Sequence, residues 1–389
     1  MSNINIKEWS LKKKIIIIIS ILLVILMGVL TYFYINNENV ANFIDLNILN
    51  KQLNDEDISV INLNTEKSNQ ICVYSKYVAI LNDKNLKLYN NYGEQITEIS
   101  VDINTAIFDS SNKYLAIAEK KGNEICLILD KTYLWSNKIE GEISEIYVNQ
   151  NGYVAVTTKD STHKSILTLY NSSGKQLFKS YFSSTRIIDA SISSDNKYIA
   201  IGELDTTGAI IQSNIKIISV ENAQNDSENA IIYTYNADVN KLIISVKYQL
   251  NNSIACMYDN SIDIISNNNN NELISLQQNK DISFMSVDFN NNIAYVQDEA
   301  KGPFSSNSNV KIVDTTSKQE YSYVLEDVAK DIYAQDDILA VNVGTELYFF
   351  NTKGRLIKKY MAKQEITNVL LSKNLATVIY KDKVILISL

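Results

Sequence analysis

Proline is almost missing from this 389-residue chain, where Pro303 is the only one. Proline-rich linkers therefore cannot divide it into domains. Glycine is sparse at 11 residues, and no glycine-rich segment follows a strand and opens a helix, as a phosphate-cradling loop requires. Cys72, Cys126 and Cys256 are an odd number and stand far apart, which excludes a disulfide framework and a zinc-ligand spacing. Each lies in an apolar run, where a thiol behaves as a small core side chain. His163 is the single histidine, so no histidine cluster exists to hold zinc. Asp160 and Ser161 are near it, but the segment 157–165 is polar and reads as surface rather than as a catalytic constellation. Basic charge is also in deficit. Lys plus Arg number 36 against 44 Asp plus Glu, a net charge of −8, which argues against a nucleic-acid partner and against a folded part lying on an anionic membrane.

What is present is globular in bulk, with 46% apolar and 21% charged residues. Ile, Asn, Lys and Tyr are abundant, a bias expected of AT-rich codons, so the 24 Tyr and the run Asn267 to Asn271 are given no functional weight. One long apolar run stands out. Ile15 to Ile35 carries no charge, and 21 helical residues span roughly 31 Å, the thickness of a bilayer's hydrocarbon core. Lys7, Lys12, Lys13 and Lys14 precede it, while Glu38, Asp45, Asp55, Glu56 and Asp57 follow. By the positive-inside rule the N-terminus stays in the cytoplasm and the remainder lies outside the cell membrane. A cleaved signal peptide is the competing reading. It has a shorter apolar region ending in small residues, whereas Thr31-Tyr32-Phe33-Tyr34 is bulky. The expected layout is a cytoplasmic basic tail at 1–14, an anchor at 15–35, a polar stalk at 36–57 and a folded domain at 58–389.

That domain repeats. An aliphatic residue followed by alanine recurs at Ala79, Ala116, Ala155, Ala200, Ala255, Ala294, Ala340 and Ala376, with a mean spacing near 42 residues. Three copies read Lys-Tyr-aliphatic-Ala-Ile, from Lys76, Lys113 and Lys197. A second signature follows each, apolar residues closing on Asn, Asp or Ser, as in Leu86 to Asn90 and Leu347 to Asn351; Gly93, Gly174 and Gly354 complete several of the turns. Four strands per unit and a period near 42 predict an all-β chain folded as an eight-bladed β-propeller. Seven blades is the alternative count, because the interval from Ala200 to Ala255 is stretched. The last unit lacks an outer strand, and Ile58 to Leu63 is a strand without a home. The two are expected to pair and close the ring.

The alanine strand and the turn-ending strand resemble the degenerate repeats of the WD40-like and quinoprotein-like propeller superfamily. The Trp-Asp dipeptide of true WD40 repeats is absent, and Leu129 to Trp135 is one echo of a quinoprotein tryptophan-docking motif. The whole layout resembles a membrane-anchored bacterial family of unknown function. That resemblance implies the topology and no catalytic residue.

The chemistry that can be read is that of binding. Asp109 to Asn112 and Asp195-Asn196 fall where turns join the first two strands of a unit, and they lack a full calcium-loop pattern. No cofactor or metal is implied. Three connections between second and third strands read as long loops: 157–165, 203–214 and 297–309. Long loops on a rigid scaffold are where binding resides. Glu203, Asp205, Asp298, Glu299, Lys301, Pro303 and Phe304 are therefore the candidate partner-binding residues. The insertion Glu221 to Asn229 reads as solvated linker. The expectation is an interaction module for protein or cell-envelope polymer. Its rival is an enzyme, either a hydrolase or lyase with acidic residues in the central funnel or a quinoprotein-like redox protein.

Overall fold

The computed structural model describes residues 11–36, 40, 44, 48–49, 51–53, 58–66, 68–227, 229–266, 269–276, 281–302, 305–373 and 375–389. Most of the expected basic tail and stalk, together with Pro303 and Phe304, lies outside them. The chain divides into two compact units, 1–52 and 53–389.

The first unit contains the helix Leu11–Asn36, within which Ile15–Ile35 has a mean hydropathy of 3.0 and no buried residue. By length and composition it is able to cross a membrane. Its polar side chains satisfy themselves. The Ser20 hydroxyl donates to the Ile16 carbonyl at 2.9 Å and the Thr31 hydroxyl to that of Met27 at 2.8 Å, so neither needs water.

The second unit is an eight-bladed propeller. Its eight sheets each have four antiparallel strands, here called a to d from the centre outwards, and that of blade 7 carries a short fifth beyond its outer strand. Blades 1 to 7 occupy 70–100, 106–138, 142–182, 185–236, 243–275, 282–324 and 331–361. Blade 8 takes strands a to c from 369–388 and its outer strand from Ser59–Asn62, which pairs with Lys383–Ser388 through Ser59↔Leu386 and Asn62↔Lys383. The ring thus closes as the two unmatched ends of the repeat required.

All eight repeat alanines sit on strand b and are 0% exposed. Their methyl groups leave room for apolar neighbours such as Leu88, Leu167, Ile217 and Phe349, from whose packing the blade-to-blade core is made. The turn signature has a mechanism as well. At the end of strand c, Asn90, Asn171 and Asn351 each accept amide hydrogens two and four residues on, at 2.9–3.1 Å. Gly93, Gly174 and Gly354 then turn the chain at φ +80°, +81° and +67°, a conformation glycine adopts without steric cost. Trp135 is a single docking tryptophan. Its indole nitrogen on blade 2 donates to the Ser172 carbonyl of blade 3 at 3.1 Å, and its ring lies over Gly174.

Several local expectations need correction. The segment 203–214 is half extended strand, with a six-residue tip at 206–211, and the described residues of 297–309 are all strand. Strand b of blade 4 runs Tyr198–Asp205 against Gln212–Ser219, and strand b of blade 6 runs Asn292–Gly302 against Ser305–Asp314. Pairing supplies the backbone partners that polar sequences such as Ser305 to Asn309 do not advertise. The insertion of blade 4 is a short helix, Val220–Asn225, capped by Ser219. Val220 and Ala223 are buried against Phe178 and Phe182 of blade 3, so it is packed structure rather than solvated linker. Asp109 is not in a turn. It lies within the inner strand Ala106–Ser111, opposite Ala116.

Candidate functional site

Because the strands alternate in direction, a–b and c–d turns emerge on one face of the ring and b–c and d–a turns on the other. The inner strands surround a central cavity of about 510 Å³. Asn112, Gln150, Asn290 and Asp337 belong to a–b turns and line its mouth, which therefore opens on the a–b face.

The wall is acidic. Asp109, Glu145, Asp189, Asp288, Asp336 and Asp337 face it, against Lys247 and Lys373. Lys247 lies 3.3 Å from Asp288, and the two side chains are 42% and 46% exposed, so the channel interior is wet. Enclosure works against the Lys247 ammonium, but the charges of Asp288 and Asp109 hold its pKa above the usual lysine value. Enclosure also pushes Asp109 up to about 6, against the pull of Lys247, and Asp189 up to about 6, against its hydrogen bonds to Ser245 and Val246. Asp336 and Glu145 are raised for the same reason.

Two of these carboxylates also stitch blades together. Asp109 accepts the Val148 amide of blade 3 at 2.5 Å, and Asp189 accepts the Val246 amide at 2.8 Å and the Ser245 hydroxyl at 2.6 Å, both of blade 5. Ser191 accepts the Tyr248 amide at 2.9 Å in the same way. Around the mouth, asparagines make further ties. Asn149 donates to Asn196 at 2.6 Å, Asn151 to the Ser194 carbonyl at 2.7 Å, and Asn251 to the Thr316 hydroxyl at 2.6 Å. Asparagines outside the discounted run Asn267 to Asn271 thus tie blades 3 and 4 and blades 5 and 6. The signal available in the sequence was the repetition of Asn just after strand a.

A second recess of about 320 Å³ lies between blades 4 and 5 on the same face. Tyr198, Tyr233, Tyr235, Ile217, Ile232, Ile254 and Ile265 line it. Tyr248 lines both recesses and separates them. The Tyr235 hydroxyl is buried without a hydrogen-bond partner.

The described residues among those expected from the sequence are near the opposite, b–c face. Glu203 is 0% exposed. Its carboxylate pairs with Lys216 at 2.6 Å and accepts the Thr185 hydroxyl at 2.7 Å, so it braces the blade-4 hairpin from inside. Asp205 caps the tip of that hairpin, accepting the Thr207 amide and hydroxyl at 2.9 and 2.7 Å, bonds that hold its pKa below the usual carboxylate range. In blade 6, Asp298 accepts the Ser308 hydroxyl while Glu299, opposite Asn307, is exposed. Lys301 lies in the same strand. His163 contacts Asp160 at 3.1 Å on the surface and stacks near Tyr181, with ring centres 4.8 Å apart. Among the described residues no group of three or more His, Cys, Asp or Glu is arranged to hold a metal ion.

The model of a family of unknown function, DUF5711, matches residues 50–389. No curated protein matches. Among solved structures, the C-terminal WD40 domain of Sif2 is 13% identical, with 85% of this chain and 98% of that one covered and a TM-score of 0.55. A eukaryotic initiation factor is 12% identical, covering 80% and 81%, at a TM-score of 0.51. BamB from Moraxella catarrhalis is 9% identical, covering 85% and 98%, at 0.49. At these identities the likeness to the first two speaks to the propeller fold alone.

Proposed function

This chain belongs to DUF5711, a family of unknown function, and we propose from its own geometry that it is a membrane-anchored, extracytoplasmic binding module for protein or cell-envelope ligands. The observation that carries the reading is the a–b face, where an acidic cavity and a tyrosine-lined recess adjoin through Tyr248 on a rigid ring. Concave sites with mixed apolar and polar lining are where ligands seat. The apolar helix and the lysines ahead of it support the anchoring and the sidedness.

The half-buried Asp205 at its hairpin tip and the exposed Glu299, with Ile210 and Ile211 at 60% and 45% exposure, give the b–c face a second contact area. Trimming 297–309 tests whether partners depend on it. A hydrolase or lyase reading is favoured by the raised Asp109 and Asp189. Against it, both carboxylates are already committed to amides of neighbouring blades.

Photo-crosslinkers at Tyr198 and Asp337 on the a–b face, and at Glu299 on the b–c face, in the full-length protein in its own membrane, test the binding reading. Adducts from the a–b positions are expected. Adducts from none of the three positions overturn it.

A further inference from the structure

The chemistry of the a–b face narrows the ligand beyond that reading. The cavity wall offers acceptors in excess: Glu145, Asp288, Asp336 and Asp337 face it against Lys373 and Lys247, the latter already engaged with Asp288. A second observation is independent of charge. Gln249, only 2% exposed, lines the cavity and donates its amide to the Val287 carbonyl at 3.1 Å, while its Oε1 has no partner. An occupant that donates hydrogen bonds and carries positive charge fits this wall.

The adjoining recess asks for something different. Tyrosine and isoleucine make up most of its lining, which Ser193, Asp195, Asn252 and Ser266 complete. The outer strand beside it, Ile231–Asn236, has no charged residue and leaves Ile231, Ile232 and Tyr233 at 38%, 36% and 41% exposure. The outer strands of blades 1, 2, 3, 5, 6 and 7 each carry at least one Lys or Glu, which discourages strand pairing. The two recesses share Tyr248, so residues near one another on one extended chain, rising about 3.3 Å each, reach both. A small polyamine fills only the first.

Resting on the binding reading, we propose that the a–b face takes an extended polypeptide segment of a partner. A Lys or Arg side chain enters the acidic cavity, and an aromatic or aliphatic neighbour lies in the recess between blades 4 and 5.

The full chain in nanodiscs, panned against a random dodecapeptide display library, tests this. Recovered peptides are expected to carry Lys or Arg within a few residues of an apolar side chain. The best peptide is then compared with its Arg→citrulline and apolar→Ser forms, each expected to bind at least tenfold more weakly. Glu145→Gln with Asp336→Asn, and separately Tyr233→Ser, are expected to give the same losses with melting temperatures unchanged. Peptides indifferent to citrulline, or spermidine competing fully by itself, overturn the proposal. So does a library yielding no enrichment. In that case crosslinks from Tyr198 and Asp337 in the membrane still decide the broader binding reading.

Discussion

Asp189 and the Val246 amide, 2.8 Å apart, join the inner strands of blades 4 and 5 by a carboxylate rather than by a sheet ladder. Replacing Asp189 with alanine leaves that amide and the Ser245 hydroxyl without their acceptor. The expected cost is about 2–3 kcal/mol in chemical denaturation of the full chain. Asp189→Asn retains one oxygen and is expected to cost less.

The same carboxylate sets a pH dependence. Its pKa is raised to about 6 in the fold, as is that of Asp109, so the proton is held more tightly folded than unfolded. The stabilisation is complete below the ordinary carboxylate value and is lost as pH rises through about 6. Wild type is therefore expected to gain melting temperature relative to Asp189→Asn as pH falls from 7.5 to 5, read by parallel thermal scans. Cationic peptides are expected to bind more weakly over the same descent, as the cavity loses negative charge.

Ring closure rests on a short strand. Ile61 is 4% exposed and pairs with Val384. Ile61→Ala is expected to cost about 2–4 kcal/mol and to make the Ser59–Asn62 segment the first point of proteolytic cleavage, seen by limited digestion and mass spectrometry.

Gly174 is constrained twice, by φ +81° and by Trp135, whose Cγ lies 2.7 Å from where a Cβ would stand. Gly174→Ala is expected to cost roughly 1–3 kcal/mol and to move Trp135 out of its dock, measured as a red-shifted fluorescence maximum.

The sequence displayed the ring far better than the site. Alanines on strand b and Asn-Gly turns recur at a fixed place in each blade because every blade meets the same packing and turning demand. Their period is therefore visible in one dimension. The cavity wall has no such period. Across from the eight alanines stand Cys72, Asp109, Tyr147, Ser191, Lys247, Ser286, Tyr333 and Leu371, of which Asp109, Tyr147, Ser191 and Lys247 line the cavity. No two neighbouring blades share a residue there, and only closing the circle brings Asp109 and Asp288 to the same lysine. Polar stretches misled for a related reason. Residues 297–309 look like loop because the signal for a strand is its own apolar alternation, yet that hairpin is held by its partner strand.

The strand that completes blade 8 is made early and satisfied last. Ser59–Asn62 leaves the ribosome long before Lys383–Ser388, its only ladder partner among the described residues. A nascent chain can build blades 1 to 7 in order but cannot shut the circle until Lys383–Ser388 emerges. Until then an unpaired edge stays open to chaperones, proteases or a neighbouring copy. Delivery of that distant partner strand is thus written into the fold as the step that seals it.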